Sequence, residues 1–199
     1  TAIKQKGKYK PYTTYCAVSD GLIMLLGLTT GFRVSDLLNA KRGDVQMLNS
    51  MNSGKLELIP HLVLDEGKTG KKRKMPLHQY VYDFIIEQGN LLAEGFPEVK
   101  LSSFDELPIF YNPRKGSSFT RVWVNKRLAM IVPQRLNKGR NISPHSLRKG
   151  FALNVYEYTG KDINAVRRVL NHSTTKVTQA YLDLPDEQQT SIVLAATMV

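Results

Sequence analysis

Between residues 143 and 182 the chain marks its own helix boundaries, and this leaves little freedom in how the stretch folds. Ser143-Pro144 is a strong helix start: serine can cap, and proline is favoured at the first helical position. Leu147, Phe151 and Val155 then recur at i, i+4 and i+8 on one face, until Gly160 stops the run. Asp162 can cap a second helix, which carries Ile163, Val166 and Leu170. Asn171 can adopt the left-handed conformation that ends it. Ser173 or Thr174 can cap a third helix, which bears Tyr181.

Upstream, Val18, Leu22, Leu25 and Leu26 recur at helical spacing from about Thr14 to Leu28, and Thr30-Gly31 breaks that helix. A short helix is expected from Val34 to Ala40. Residues 55–64 and 71–77 read as strands around the turn Glu66-Gly67-Lys68-Thr69-Gly70. Pro60 and Pro76 suggest edge positions or breaks rather than a central, fully paired strand. Helical patterns return at 77–93, with Val81, Phe84, Ile85 and Leu92 on one face, and at 118–131 around Val122, Trp123 and Met130. Residues 95–117, rich in Pro, Gly and Ser, read as a long surface connection. The expected fold class is α+β, mainly α-helical with a small antiparallel β-sheet, in a chain whose 199 residues suit one compact domain or a small domain with an arm.

Charge narrows the partners. Lys and Arg number 28 against 17 Asp and Glu, a net +11 that favours a polyanion, most commonly nucleic acid. Cys16 is the only cysteine, so no internal disulfide can form, no Cys/His cluster has zinc spacing, and a reducing intracellular compartment is expected. No apolar run approaches the roughly 18 residues of a membrane span.

Several residues carry chemistry suited to a phosphodiester. His145 and Arg148, at i and i+3, share a helical face, and His145 falls in the first turn, where free N–H groups favour an anion. An isolated pair of this kind is commonly a surface feature. Arg33 follows the Thr-Gly break with Asp36 three residues on, close enough to orient it by an ion pair. Arginine stays ionised and matches two phosphate oxygens, which lysine cannot do. Lys68 lies in a stretch, Asp65 to Lys74, where five of ten residues are basic. It can be a groove-reaching general acid or one more solvated cation, and Lys71, Lys72, Arg73 and Lys74 read as a solvated or backbone-tracking turn. His172 follows Asn171 at a helix end. Tyr181 lies nine residues further; with an ordinary pKa near 10, as a nucleophile it would need a base and a positive field.

Taken together, these segments resemble the catalytic domain of the tyrosine recombinases, the phage integrase family. Thr30-Gly31-Phe32-Arg33-Val34-Ser35-Asp36-Leu37 resembles the family's first box, T-G-x-R-x-S-E/D-L. Gly67-Lys68-Thr69-Gly70 with Met75-Pro76-Leu77 resembles its β-hairpin lysine segment. His145-Ser146-Leu147-Arg148 matches H-x-L-R, and Leu170-Asn171-His172 with Tyr181 matches L-G-H…Y. The resemblance implies that Arg33 and Arg148 clamp the scissile phosphate and that His172 hydrogen-bonds it. It also implies that Tyr181 attacks phosphorus, Lys68 protonates the leaving 5′-oxygen and His145 assists proton transfer, with no metal or other cofactor.

The same resemblance implies double-stranded DNA as substrate and a homo-oligomer on it, a tetramer in the synapse, in the cytoplasm at the nucleoid if the source is bacterial or phage. Residues 1–13 are expected to be a basic arm or linker remnant, 14–182 the catalytic domain, and 183–199 a tail that docks on a neighbouring protomer or packs back on its own. A chain that opens at Thr1 is expected to be a catalytic fragment, lacking the domain that closes around DNA. Asn171 stands where glycine is frequent, and Lys149 where many members carry histidine. A type IB topoisomerase shares this chemistry. A DNA-binding module that has lost catalysis is the rival from another class.

Overall fold

The first helix, α1 (Pro11–Thr30), already runs at the first described residue, ahead of the expected Thr14, and continues to the Thr-Gly break. The structure, a computed structural model, describes residues 11–68, 70–99, 101–131 and 142–182; the start of the expected arm and the tail 183–199 lie outside them. After α1 come α2 (Val34–Asn39), a 3₁₀ turn at Arg42–Asp44, and three strands: β1 (Val45–Asn52), β2 (Lys55–Asp65) and β3 (Lys72–Pro76). They form one antiparallel sheet in the order β1-β2-β3.

β1 has no counterpart in the sequence reading, because Gln46, Asn49, Ser50 and Asn52 are poor strand formers. Pairing with β2 along its whole length makes it a strand, from Val45 opposite Leu62 to Asn52 opposite Lys55. Ser53 and Gly54, both at positive φ, close the hairpin, as a two-residue turn between twisted strands requires. Pro60 therefore lies on the central strand, contrary to expectation. Its carbonyl accepts from Leu77 N–H at 2.7 Å, so its nitrogen faces the β3 side, where strand register begins only at His61. Proline withholds only the reciprocal bond of that last pair, where the β2–β3 ladder ends. Pro76 does sit on an edge strand.

α3 (Gln79–Gly95) buries Val81, Ile85 and Leu92 against α1, with Phe84 half-buried. The segment after it is not a surface connection. Ile109 and Phe110 are fully buried. Main-chain bonds tie the stretch to α2's exit: Ile109 N–H to Ala40 O at 2.8 Å and Arg42 N–H to Leu107 O at 3.0 Å. The short strands β4 (Tyr111–Asn112) and β5 (Ser117–Ser118) then turn the chain into α4 (Arg121–Ile131). α4 also faces otherwise than expected: Val122 is 63% exposed and Met130 72%, while Val124 and Leu128 are buried. Trp123 stacks on Phe119 with ring centroids 3.8 Å apart.

The last three helices follow their sequence signals. α5 (Pro144–Tyr158) begins at Ser143, whose N–H donates to Ser146 Oγ at 3.2 Å. Asp162 caps α6 (Ile163–Leu170) by accepting from Asn164 N–H at 2.8 Å. Asn171 ends α6 at φ 58, ψ 35, and Thr174 caps α7 (Thr175–Leu182) through Val177 N–H. Two apolar clusters result. A large one joins α1, α2, the sheet, α3, α4 and Leu147; a small one gathers Phe151, Ala152, Val166, Leu170 and Leu182 beneath α5, α6 and α7.

Candidate active site

Gly31 fixes the geometry at the end of α1. It sits at φ +61, and a Cβ there would fall 2.2 Å from Cδ1 of Phe151, so only glycine lets α1 end against α5. Two residues later Arg33 stands at the start of α2, its carbonyl accepting from Leu37 N–H at 3.0 Å. Arg148, on the first turns of α5, donates to the carbonyls of Gly31 and, at 2.9 Å, Leu170. This one guanidinium thereby ties together the ends of α1 and α6.

Between the arginines lies Glu66, fully buried. Its carboxylate is 3.5 Å from Arg33 Nη1, 3.2 Å from Arg73 Nη1 and 4.0 Å from Arg148 Nη1, and it accepts from Asn171 Nδ2 at 3.3 Å. Asp36 is 3.9 Å from Arg33 Nη1 and also accepts from Gly67 N–H at 3.2 Å, which ties the Lys68 turn to α2. Arg73, expected on a solvated turn, is 7% exposed. Its guanidinium lies 4.5 Å over the ring of Phe32 and donates to Thr30 O. Burial, then the neighbouring Arg148 cation, lowers its pKa to about 10.

Strand alternation explains both residues. Leu62, Leu64 and Glu66 stand at i, i+2 and i+4, and Arg73 pairs opposite Leu64, on the core side of the sheet. Lys72 and Lys74 point the other way and are exposed, as is Lys71 on the turn. The signal was present in the sequence as period-two spacing, masked by the run of like charges.

Tyr181, on α7, is flanked by both imidazoles. Its ring centroid is 5.0 Å from that of His145 and 5.4 Å from that of His172, each edge to face. Burial raises the phenol pKa, and Arg148 and Arg33 pull it back only in part. The phenol therefore stays protonated at neutral pH. Burial, Arg148 and Lys149 lower the pKa of His145, so its ring is neutral and able to accept a proton. His172 falls further, to about 4, through burial and the arginines Arg148 and Arg33. Its Nδ1 lies 3.1 Å from Thr178 Oγ1; the tautomer with its proton on Nε2 can donate to a phosphate oxygen.

Five of the six expected residues, Arg33, His145, Arg148, His172 and Tyr181, thus share one pocket. Lys68 stays exposed, on a turn anchored to that pocket through Gly67 and Glu66. Glu66, Arg73 and Thr178 are members that sequence reasoning missed.

This arrangement of helices around a small sheet is the fold of tyrosine recombinase catalytic domains. The structure superposes on the XerH site-specific recombinase, solved bound to palindromic difH substrate as a post-cleavage complex, with TM-score 0.64 and 22% identity over 93% of this chain and 47% of that one. The Tn1549 transposon integrase in complex with transposon right end DNA gives TM-score 0.54 and 18% identity, covering 99% of this chain and 69% of its own. The chain belongs to the phage integrase family, whose model matches residues 8–188. It is 30% identical to tyrosine recombinase XerC of Vibrio campbellii over 172 residues, 84% of this chain and 47% of that protein. It is 29% identical to tyrosine recombinase XerA of Thermococcus kodakarensis over 164 residues, 81% of this chain and 50% of that protein. The chain spans about half the length of these curated relatives. Among the described residues no helix is long and apolar enough to cross a membrane.

Proposed function

We propose that residues 14–182 form the catalytic domain of a site-specific DNA recombinase, which cleaves and rejoins double-stranded DNA through a 3′-phosphotyrosyl link. The observation that carries this reading is a pair of buried polar atoms in one pocket, Arg33 Nη1 and Tyr181 Oη beside Arg148, neither in full hydrogen-bond geometry with a partner among the described residues. Buried donors left unpaired are costly, and a phosphate between them satisfies both sides. Arg33 and Arg148 neutralise the phosphate and His172 donates to one of its oxygens. Tyr181 Oη attacks phosphorus as His145 takes the phenol proton, the bond to the 5′-oxygen breaks, and Lys68 protonates the leaving oxygen. A 5′-hydroxyl from the partner strand then attacks the phosphotyrosyl link and releases Tyr181. That link conserves the bond energy, so neither metal nor ATP is required. Catalysis is positioning plus a preorganised positive field.

Recombination needs paired sites, so the protein would act as a homo-oligomer, a tetramer in the synapse. The family and its XerC and XerA relatives favour recombination over relaxation by a topoisomerase. A nicked suicide substrate carrying the cognate site, which traps the intermediate, tests the chemistry. The full-length protein should form a covalent DNA adduct, and Tyr181→Phe should bind DNA without forming one. No adduct from the wild-type protein would overturn the reading.

A further inference from the structure

Glu66 takes no part in these chemical steps, yet no charge in the pocket is more enclosed. Its carboxylate engages Arg33, Arg73, Arg148 and Asn171. Its main chain closes the Lys68 turn: Glu66 N–H donates to Lys71 O at 3.0 Å, and Glu66 O accepts from Gly70 N–H at 2.7 Å. One residue therefore touches both arginines of the clamp, the helix end that leads into His172, and the turn that presents Lys68. We propose that Glu66 is a positioning residue for strand cleavage, holding Arg33 and Arg148 together for one phosphodiester while its main chain fixes the Lys68 turn. This role rests on the recombinase reading of the same pocket.

Charge balance supports it. Three guanidinia (Arg33, Arg73 and Arg148) face two carboxylates (Asp36 and Glu66), and both imidazoles are neutral. One net positive charge remains, which a single phosphodiester cancels. Carboxylate and phosphate each offer two oxygens to the same cations. Glu66 does so from inside the fold, and Arg33 Nη1, 3.5 Å from it, still lacks a hydrogen bond among the described residues. Without that carboxylate, three cations would sit in a weakly screening interior, where like-charge repulsion at about 4 Å is several-fold stronger than in water. Arg33, with 26% of its side chain exposed, is the one free to swing outward.

Glu66→Gln keeps the shape and removes the charge; Glu66→Asp keeps the charge on a shorter arm. Asn171→Gly keeps the left-handed turn and removes only the amide donor. Adduct formation on the suicide substrate gives the cleavage rate, and anisotropy in a Tyr181→Phe background gives DNA affinity. Glu66→Gln should bind DNA at least as tightly, since it is more positive, yet cleave about tenfold or more slowly. Its pH–rate profile should move to lower pH. Tyr181 is faced by His145 and Arg148 of α5, His172 beyond α6 and Arg33 before α2, and the more positive pocket favours its phenolate. Glu66→Asp should recover part of the rate, and Asn171→Gly should lose about threefold. Where Glu66→Gln fails to fold, the other two variants decide. Wild-type rates in Glu66→Gln and Asn171→Gly overturn the proposal. So does equal loss in Gln and Asp with an unmoved pH profile, the mark of a purely structural residue. Absence of a wild-type adduct refutes the recombinase reading itself, and this role with it.

Discussion

Replacing Arg73 with methionine keeps a long, flexible side chain and removes a cation from the interior. Three interactions go with it: the pair with Glu66 at 3.2 Å, the donation to Thr30 O, and the contact with the Phe32 ring at 4.5 Å. Breaking a buried ion pair costs about 3–5 kcal/mol when the partner is left alone. Glu66 keeps Arg33, Arg148 and Asn171, so the lower end applies. The orphaned Thr30 carbonyl adds about 1–3 kcal/mol and the lost cation–π contact about 0.5–2 kcal/mol. Against these stands relief from burying a guanidinium, the main reason its pKa falls to about 10. The expected net loss is about 3 kcal/mol. At about 2–4 °C per kcal/mol for a chain of this size, Tm should fall by about 6–12 °C. Urea unfolding followed by circular dichroism measures it, with Lys72→Met and Lys74→Met as exposed controls expected within about 0.5 kcal/mol. An Arg73→Met loss under about 1 kcal/mol would refute a buried, paired Arg73.

Other expectations follow from the same geometry. Leu128→Ala should cost about 2–5 kcal/mol in chemical denaturation and Met130→Ala less than about 0.5 kcal/mol; the reverse order would mean that α4 is rotated. Gly31→Ala forces a positive φ and a clash with Phe151, so it should lose about 2–4 kcal/mol in a thermal melt and reduce adduct formation through Arg148. The pH dependence has a defined sign. His172 is held at about 4 in the folded state against an ordinary 6.5, so the unfolded chain binds its proton first and stability drops as pH falls through that window. His145 shifts in the same direction. Urea midpoints should therefore decline between about pH 7 and about pH 4.5, and His172→Gln should flatten the slope; an equal slope would remove His172 as the cause.

Residues whose neighbours along the chain set their place were legible in the sequence. Ser143-Pro144 phases α5 and so places His145 and Arg148; Asp162, Asn171 and Thr174 do the same for His172 and Tyr181. Residues whose place depends on distant partners were not. Glu66 and Arg73 look solvated inside a basic run, and only pairing with Arg33 and with Thr30, from the far side of the first hairpin, turns them inward. β1 lacks strand formers and borrows its conformation from β2. Ile109 and Phe110 sit in a segment rich in turn residues, and their burial is set by main-chain bonds to α2's exit.

The two apolar clusters bear differently on the pocket. Arg33, Glu66 and Arg73 stand on elements packed into the large cluster, whereas Tyr181 packs on the small one of Phe151, Ala152, Val166, Leu170 and Leu182. Regions with few buried apolar side chains open at a lower free energy than the fold as a whole. On the proposed reading, Tyr181 would be presented by a smaller packed body than the one that carries Arg33, and Arg148, on the α5 helix shared by both clusters and bonded to Leu170 O, would link the two.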